Sequence, residues 1–322
     1  MRLSYQFKNQ YGSLYTSANV VYVSDTSILS VSGNRVLKLD LSKHTTSTLP
    51  FSSRSDISYI TYSPQSSLLL VIDVTGRALL VNLKAGGVVL RRLNFKSVDV
   101  KTAKFSPNGS LLLVGVSSRI HLYQITSPLR PLDLVRVYSG HYAPITSLSW
   151  TPCSRFFASG SEDSTVRIYS SAPILHFRPI TLSSHKSPIV NLTFHEKNLE
   201  TLYTVSRDGS FFVWNWVQAP TLSTSSLVSS TKKRFHLQLH TKGQFVLSEK
   251  HYLQLDHSTI STCAFSSNLL AVGFDSGVFS LYVDVLCLTH THTHTHTSHT
   301  HTKQIHTLNI GMSTYSSSLS IF

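Results

Sequence analysis

Two sets of residues bring together a histidine, a hydroxyl and an aspartate, the ingredients of nucleophilic and acid–base chemistry. One is His141, Ser159 and Asp163; the other is His185, Thr204 and Asp208. A serine beside a histidine that a carboxylate orients is the constellation of acyl transfer. The two histidines, however, lie 44 residues apart, and the hydroxyls and aspartates repeat at nearly the same interval. An active site is assembled once, whereas a set that recurs at constant spacing belongs to a repeated architecture. The preferred reading is a buried hydrogen-bond clamp in each of two repeats, with no catalytic residue. Consistent with that, G-x-x-x-x-G-K-S/T, H-E-x-x-H, G-x-S-x-G and C-x-x-C are all missing from the sequence. No enzyme activity, cofactor or small-molecule substrate is expected.

Metal chemistry is the next candidate. Residues 289–302 alternate Thr and His almost without interruption. Histidines at period 2 on one strand face could bind zinc or copper. A CA dinucleotide repeat read in frame also encodes Thr-His, and a translated repeat needs no selection for ligands. The tract is read as low-complexity and disordered, and no metal site is predicted. Cys153, Cys263 and Cys287 are too few and scattered for a disulfide framework, so inert packing is expected of the turn Cys153 and the strand Cys263.

Phosphate contacts are the third. The chain carries 28 Lys and Arg against 15 Asp and Glu, a net charge of +13. An excess of that size points to an anionic partner. Most of it lies in residues 1–216, on the part that folds. Candidate phosphate contacts are Arg91, Arg92, Lys96, Lys101 and Lys104, read as a surface connection, and separately Lys232, Lys233 and Arg234. No aromatic stacking platform or RNA-binding motif accompanies them, so any binding would be through phosphates, without base readout.

These residues must be positioned by β-structure. An aromatic that ends an alternating strand recurs at Tyr62, Phe105, Trp150, Phe194 and Phe265, with spacings of 43, 45, 44 and 71. The last is one further period plus an insertion. A second, apolar strand follows, for example Leu111–Gly115 or Phe156–Gly160. A turn rich in Asp or Gly comes next, and then a third strand ending in an aromatic, as at Tyr169, Trp214 and Tyr282. Period-2 strands bounded by turns, with no helical window and a period of about 40–45 residues, are the propeller signature. Asn108-Gly109 reads as a hairpin turn.

The steps Gly140-His141 and Ser184-His185 ahead of a first strand resemble the WD-repeat family. That resemblance implies a clamp joining His141, Ser159, Asp163 and Tyr169 in one unit, and His185, Thr204, Asp208 and Trp214 in the next. Tyr169 stands where that family usually has Trp. The fold class expected is an all-β WD-repeat β-propeller, with about six blade-like units of an incomplete first propeller and a disordered tail. The propeller spans 1–284, with an insertion at 217–250, and the Thr/His- and Ser-rich tail spans 285–322. Beyond the tract, Gln304–Ile310 resembles an outer strand displaced from the end of Leu281-Tyr282.

More narrowly, Tyr5-Gln6-Phe7-Lys8-Asn9, Gly33-Asn34-Arg35-Val36, Leu79–Leu83, Phe105–Gly109, Ser206–Trp214 and Gly273–Phe279 resemble the periodic tryptophan protein 2 family, WD-repeat proteins of ribosome assembly. The resemblance implies a non-enzymatic scaffold of the nucleolar small-subunit processome, in the nucleus, acting in pre-rRNA processing. Its implied partners are other WD-repeat processome proteins, with pre-rRNA and small nucleolar ribonucleoprotein met weakly or indirectly. The alternative is a WD-type adaptor of another nuclear or cytoplasmic complex. No apolar run reaches membrane-spanning length, and no membrane is expected among the partners.

Overall fold

The computed structural model describes residues 18–95, 100–126, 132–174, 177–195, 200–218, 243–253, 258–266, 269–283 and 304–309. Among them every regular element is a strand, and no helix is long and apolar enough to cross a membrane. The strands form six four-stranded antiparallel sheets, or blades. Blade 1 runs from β1 (Val21–Ser24) to β4 (Thr45–Thr48), and blade 2 from β5 (Ile57–Ser63) to β8 (Val88–Asn94). Blade 3 runs from β9 (Thr102–Phe105) to β12 (Asp133–Tyr138), and blade 4 from β13 (Ile145–Trp150) to β16 (Ile180–Leu182). Blade 5 runs from β17 (Ile189–Phe194) to β20 (Gly243–Tyr252), and blade 6 from β21 (Ile260–Ser266) to β24 (Gln304–Asn309).

Position within a blade explains composition. The second strands β6 (Leu68–Asp73), β14 (Phe156–Ser161) and β18 (Thr201–Ser206) are buried at every residue. Both faces of such a strand meet a neighbouring blade, so its sequence is mostly apolar or small rather than alternating. The core is therefore a series of layers between blades. Leu29 and Val31 pack with Ile60 and Val71, joining blades 1 and 2. Leu70 and Leu80 pack with Ala103 and Leu112, joining 2 and 3. Leu113 and Ile120 meet Leu148 and Phe157 between 3 and 4. Phe156 and Ile168 meet Leu192 and Phe212 between 4 and 5, and Tyr203 and Val213 meet Cys263 and Leu270 between 5 and 6. Six blades thus share five layers, and among the described residues no layer joins blade 6 to blade 1.

Some blade contacts are very close. A Cβ on Gly160 of β14 would sit 2.5 Å from Ile189 Cγ2 of the next blade and 2.8 Å from Ser147 Oγ. Side chains also stitch inner strands together. The Asn19 amide exchanges two 2.8 Å hydrogen bonds with the Ile60 backbone. Thr146 Oγ1 donates to Ile189 O at 2.6 Å, and Asn191 Nδ2 to Cys263 O at 2.6 Å. The Asn108-Gly109 turn joins β9 to β10 (Leu111–Val116), with Gly109 at φ +68°.

Two boundaries differ from the sequence reading. The expected insertion at 217–250 is invaded from both ends: β19 (Ser210–Gln218) continues through Gln218, and Gly243–Tyr252 pairs with it as β20. The tail at 285–322 is not wholly low-complexity: it contains β24, which pairs with β23 (Val278–Val283) from Val278↔Asn309 to Tyr282↔Gln304, the displaced outer strand expected at Gln304–Ile310. A strand's place is set by the backbone edge it completes, which composition does not report. The Thr-His tract at 289–302 lies outside the described residues.

Candidate functional site

The two histidines begin their blades just before β13 and β17, and each points at the second strand of its own sheet. In blade 4, His141 Nε2 lies 2.7 Å from Ser159 Oγ, and Nδ1 lies 2.9 Å from Asp163 Oδ2. The carboxylate can only accept, so Nδ1 carries the proton and Ser159 donates to Nε2. Asp163 also accepts from Tyr142 N at 3.1 Å, and from Thr165 N and Oγ1 at 2.9 and 2.6 Å. Burial lowers the His141 pKa, more than the Asp163 hydrogen bond and charge raise it. Burial would raise the Asp163 carboxyl, but the Thr165, Tyr142 and His141 donors prevail and hold it below its usual value.

This is the geometry of a hydrolytic triad, and burial decides against that use. Ser159 and its neighbours Ala158 and Phe157 are fully buried, so no substrate carbonyl can reach Oγ. The hydrogen bonds lock the turn to the sheet instead.

Blade 5 differs in one link. His185 Nε2 lies 2.7 Å from Thr204 Oγ1, but Nδ1 meets Ser206 Oγ at 2.9 Å, and it is Ser206 that donates to Asp208 Oδ1. Trp214 Nε1 donates to Thr204 Oγ1 at 3.0 Å. Each hydroxyl has one proton, so the chain has a single polarity: Trp214 donates to Thr204, Thr204 to His185, His185 to Ser206, and Ser206 to Asp208. Burial lowers the His185 pKa to about 4 despite the Asp208 charge, so the ring is neutral at pH 7. It stacks on Phe212 with centroids 4.2 Å apart.

All eight sequence-predicted clamp residues fall in these two blades, but Tyr169 does not occupy the role given to it. It packs against Phe157 and Tyr138 and shares a hydrogen bond with Arg167, and its hydroxyl is not bonded to Ser159. A Cβ on Gly140, at φ +150°, would lie 3.2 Å from that hydroxyl and 2.7 Å from Arg167 Nη1, so glycine there gives Tyr169 and Arg167 room.

Sequence reasoning missed Ser206, although a serine stands two residues before the turn aspartate in both blades. It also missed that blades 2 and 6 keep the turn aspartate and replace the histidine by a hydroxyl. Ser53 Oγ donates to Asp73 Oδ2 at 3.1 Å, and Thr259 Oγ1 donates to Asp275 Oδ2. The spacing from hydroxyl to aspartate varies between the two, which hides them from a motif.

Among the described residues the basic side chains are dispersed, and of the first set only Lys101 lies in the connection between blades 2 and 3. Arg91 and Arg92 belong to β8, where consecutive side chains face opposite sides. Arg91 donates to Leu132 O and lies 4.0 Å from the Asp133 carboxylate, tying blade 2 to blade 3. Lys101 pairs with Glu162 at 2.6 Å. Lys101 and the inner-strand Lys104 line a central channel of about 760 Å³, whose wall draws on the inner strands. Lys96, Lys232, Lys233 and Arg234 lie outside the described residues. Cys153 is half-buried in its turn; Cys263 is buried, and burial pushes its thiol far above the usual value. Among the described residues no three His, Cys, Asp or Glu side chains gather as a metal site.

Blades of this construction, clamped in this way, define a WD-repeat β-propeller. The family model described as WD domain, G-beta repeat matches residues 132–170, which include the first clamp. The fold matches the Cps50 (Swd1) β-propeller domain of Myceliophteria thermophila with a TM-score of 0.69 at 15% identity, covering 97% of this chain and 91% of that one. The sequence places the chain with the periodic tryptophan protein 2 family. It is 37% identical over 290 residues to the periodic tryptophan protein 2 homolog of Schizosaccharomyces pombe, covering 88% of this chain and 33% of that protein. It is 31% identical over 291 residues to periodic tryptophan protein 2 of Saccharomyces cerevisiae, again over 88% of this chain and 31% of that protein. The chain spans about a third of the length of the curated relatives it matches.

Proposed function

We propose that this propeller is a scaffold of the nucleolar small-subunit processome, serving pre-rRNA processing and assembly of the small ribosomal subunit. The observation that carries the reading is the 37% identity to a periodic tryptophan protein 2 homolog over 88% of the chain. The chemistry is docking without turnover. Rigid blades fix the geometry and leave the connecting loops free to present contacts. Its partners are other WD-repeat processome proteins. Pre-rRNA and small nucleolar ribonucleoprotein are met through them, or weakly through phosphates, a role suited to the +13 charge.

The test is sedimentation of the tagged full chain from nuclear extract. It should co-sediment with pre-ribosomal particles and move to the top of the gradient once those particles are dissociated by salt. A cooperatively folded chain that stays at the top under all conditions overturns the processome reading and leaves an adaptor of another complex.

A further inference from the structure

A second cavity, of about 340 Å³, opens beside blade 2, and three arginines line it: Arg54, Arg77 and Arg92. They come from separate places in the chain. Arg54 lies in the connection from β4 to β5, Arg77 opens β7 (Arg77–Asn82), and Arg92 lies in β8. The register Arg77↔Asn94 and Leu79↔Arg92 puts Arg77 and Arg92 on one face as diagonal neighbours. All three are exposed, and among the described residues none of their guanidinium groups has a hydrogen bond or an ion pair.

One acid lines the same cavity, Asp73, and it is 2% exposed. Its Oδ1 accepts from Thr75 N, Thr75 Oγ1 and Arg77 N, and its Oδ2 from Ser53 Oγ. Those hydrogen bonds all come from its own turn and from Ser53, and none comes from a guanidinium. Three arginines therefore line one concave site beside a single buried carboxylate, and among the described residues none of them is in an ion pair. A guanidinium fork matches a carboxylate in bidentate geometry. The remaining wall includes Ala78, Leu79 and Leu93, and no aromatic ring is present. A nucleic-acid strand would find phosphate partners there but no stacking platform for its bases. An acidic peptide with aliphatic side chains between its carboxylates finds both a cationic rim and an apolar wall.

We infer that the cavity bounded by Arg54, Arg77 and Arg92 is a docking site for an acidic, aliphatic segment of a partner protein. The inference stands independently of which complex the propeller serves.

The experiment uses the full chain and two probes of equal charge: a fluorescein-labelled peptide of alternating glutamate and leucine, and a labelled oligouridylate. Arg54→Gln, Arg77→Gln and Arg92→Gln are compared singly and together with Arg119→Gln, which removes one exposed charge elsewhere. Thermal melting confirms that each variant is folded. Each cavity substitution should weaken peptide binding roughly tenfold, as expected for a lost charge-assisted hydrogen bond, and Arg119→Gln should leave it within about twofold. Arg92→Lys, which keeps the charge but loses the fork, should fall between wild type and Arg92→Gln. If the triple variant binds peptide as Arg119→Gln does, there is no site. If it loses oligouridylate and keeps the peptide, the cavity is a phosphate contact for RNA and the inference is overturned.

Discussion

His185 is held between two hydroxyls in a buried relay that ends on Asp208, and its neutrality is a consequence of that position. Removing the ring in His185→Ala leaves Thr204 Oγ1 without its acceptor and Ser206 Oγ without its donor, while Asp208 keeps Ser206 and the Ser210 amide. The expected loss of stability is about 1–3 kcal/mol, read as a shift of the urea midpoint at pH 7. A variant that melts like wild type would remove the relay from the account of blade 5. The same residue sets a pH dependence. Its native pKa is about 4, below the ordinary value near 6.5 that applies to the unfolded chain. Above about pH 6.5 both states are neutral and the contribution is complete. As pH falls from there towards 4, the unfolded chain takes up a proton that the native ring refuses, so stability is lost across that window. The loss is on the order of 3 kcal/mol. His141, also lowered by burial, acts in the same direction. Urea midpoints measured between pH 7 and pH 4 should fall more steeply for wild type than for His185→Ala, and parallel slopes would contradict the assignment.

At the scale of elements, stability resides in the layers between blades, and the tightest of them rests on a missing side chain. Gly160→Ala would drive a methyl group to 2.5 Å from Ile189 Cγ2, projecting from β14, a strand that is buried at every residue. Blades 4 and 5 would have to separate locally, at an expected cost of about 1–3 kcal/mol. Pairing with Ile189→Ala should recover part of that loss, because the colliding side chain is gone. A double variant that shows simple additivity would place the strain elsewhere. The outer strand of blade 6 makes a second point at this scale. β24 is separated from β23 by the Thr-His tract, yet it completes the sheet in antiparallel register. An intervening segment costs little, because loop-closure entropy grows only slowly with length.

At the scale of the whole molecule, the described residues form six blades with five shared layers, and the outer strand of the last blade is reached only across the Thr-His tract. A chain cut after Val283 lacks β24 and leaves the outer edge of β23 unpaired. An unprotected strand edge recruits other strands, so the cut chain should form larger species than the full chain in size-exclusion chromatography with light scattering. A monodisperse, cooperatively melting cut chain would show that β24 does not protect that edge.

Much of this architecture was readable from the residues alone. The aromatic at the end of the first strand in blades 2 to 6, and the turn Asp or Gly after the second strand in most blades, recur at a near-constant period, because the blades solve the same packing problem. That period placed the blades, and the recurrence of His, hydroxyl and Asp identified the clamps as structural before any distance was known. Tertiary structure decided what periodicity does not encode. It inserted Ser206 between His185 and Asp208, and turned Tyr169 away from Ser159 towards Phe157 and Arg167. It also split Arg91 from Arg92, committing one to Leu132 and leaving the other beside Arg54 and Arg77. Local pattern specifies which residues face the core. Which polar groups meet across a turn, a strand edge or a cavity depends on chain segments far apart in sequence, and only the folded packing brings those together.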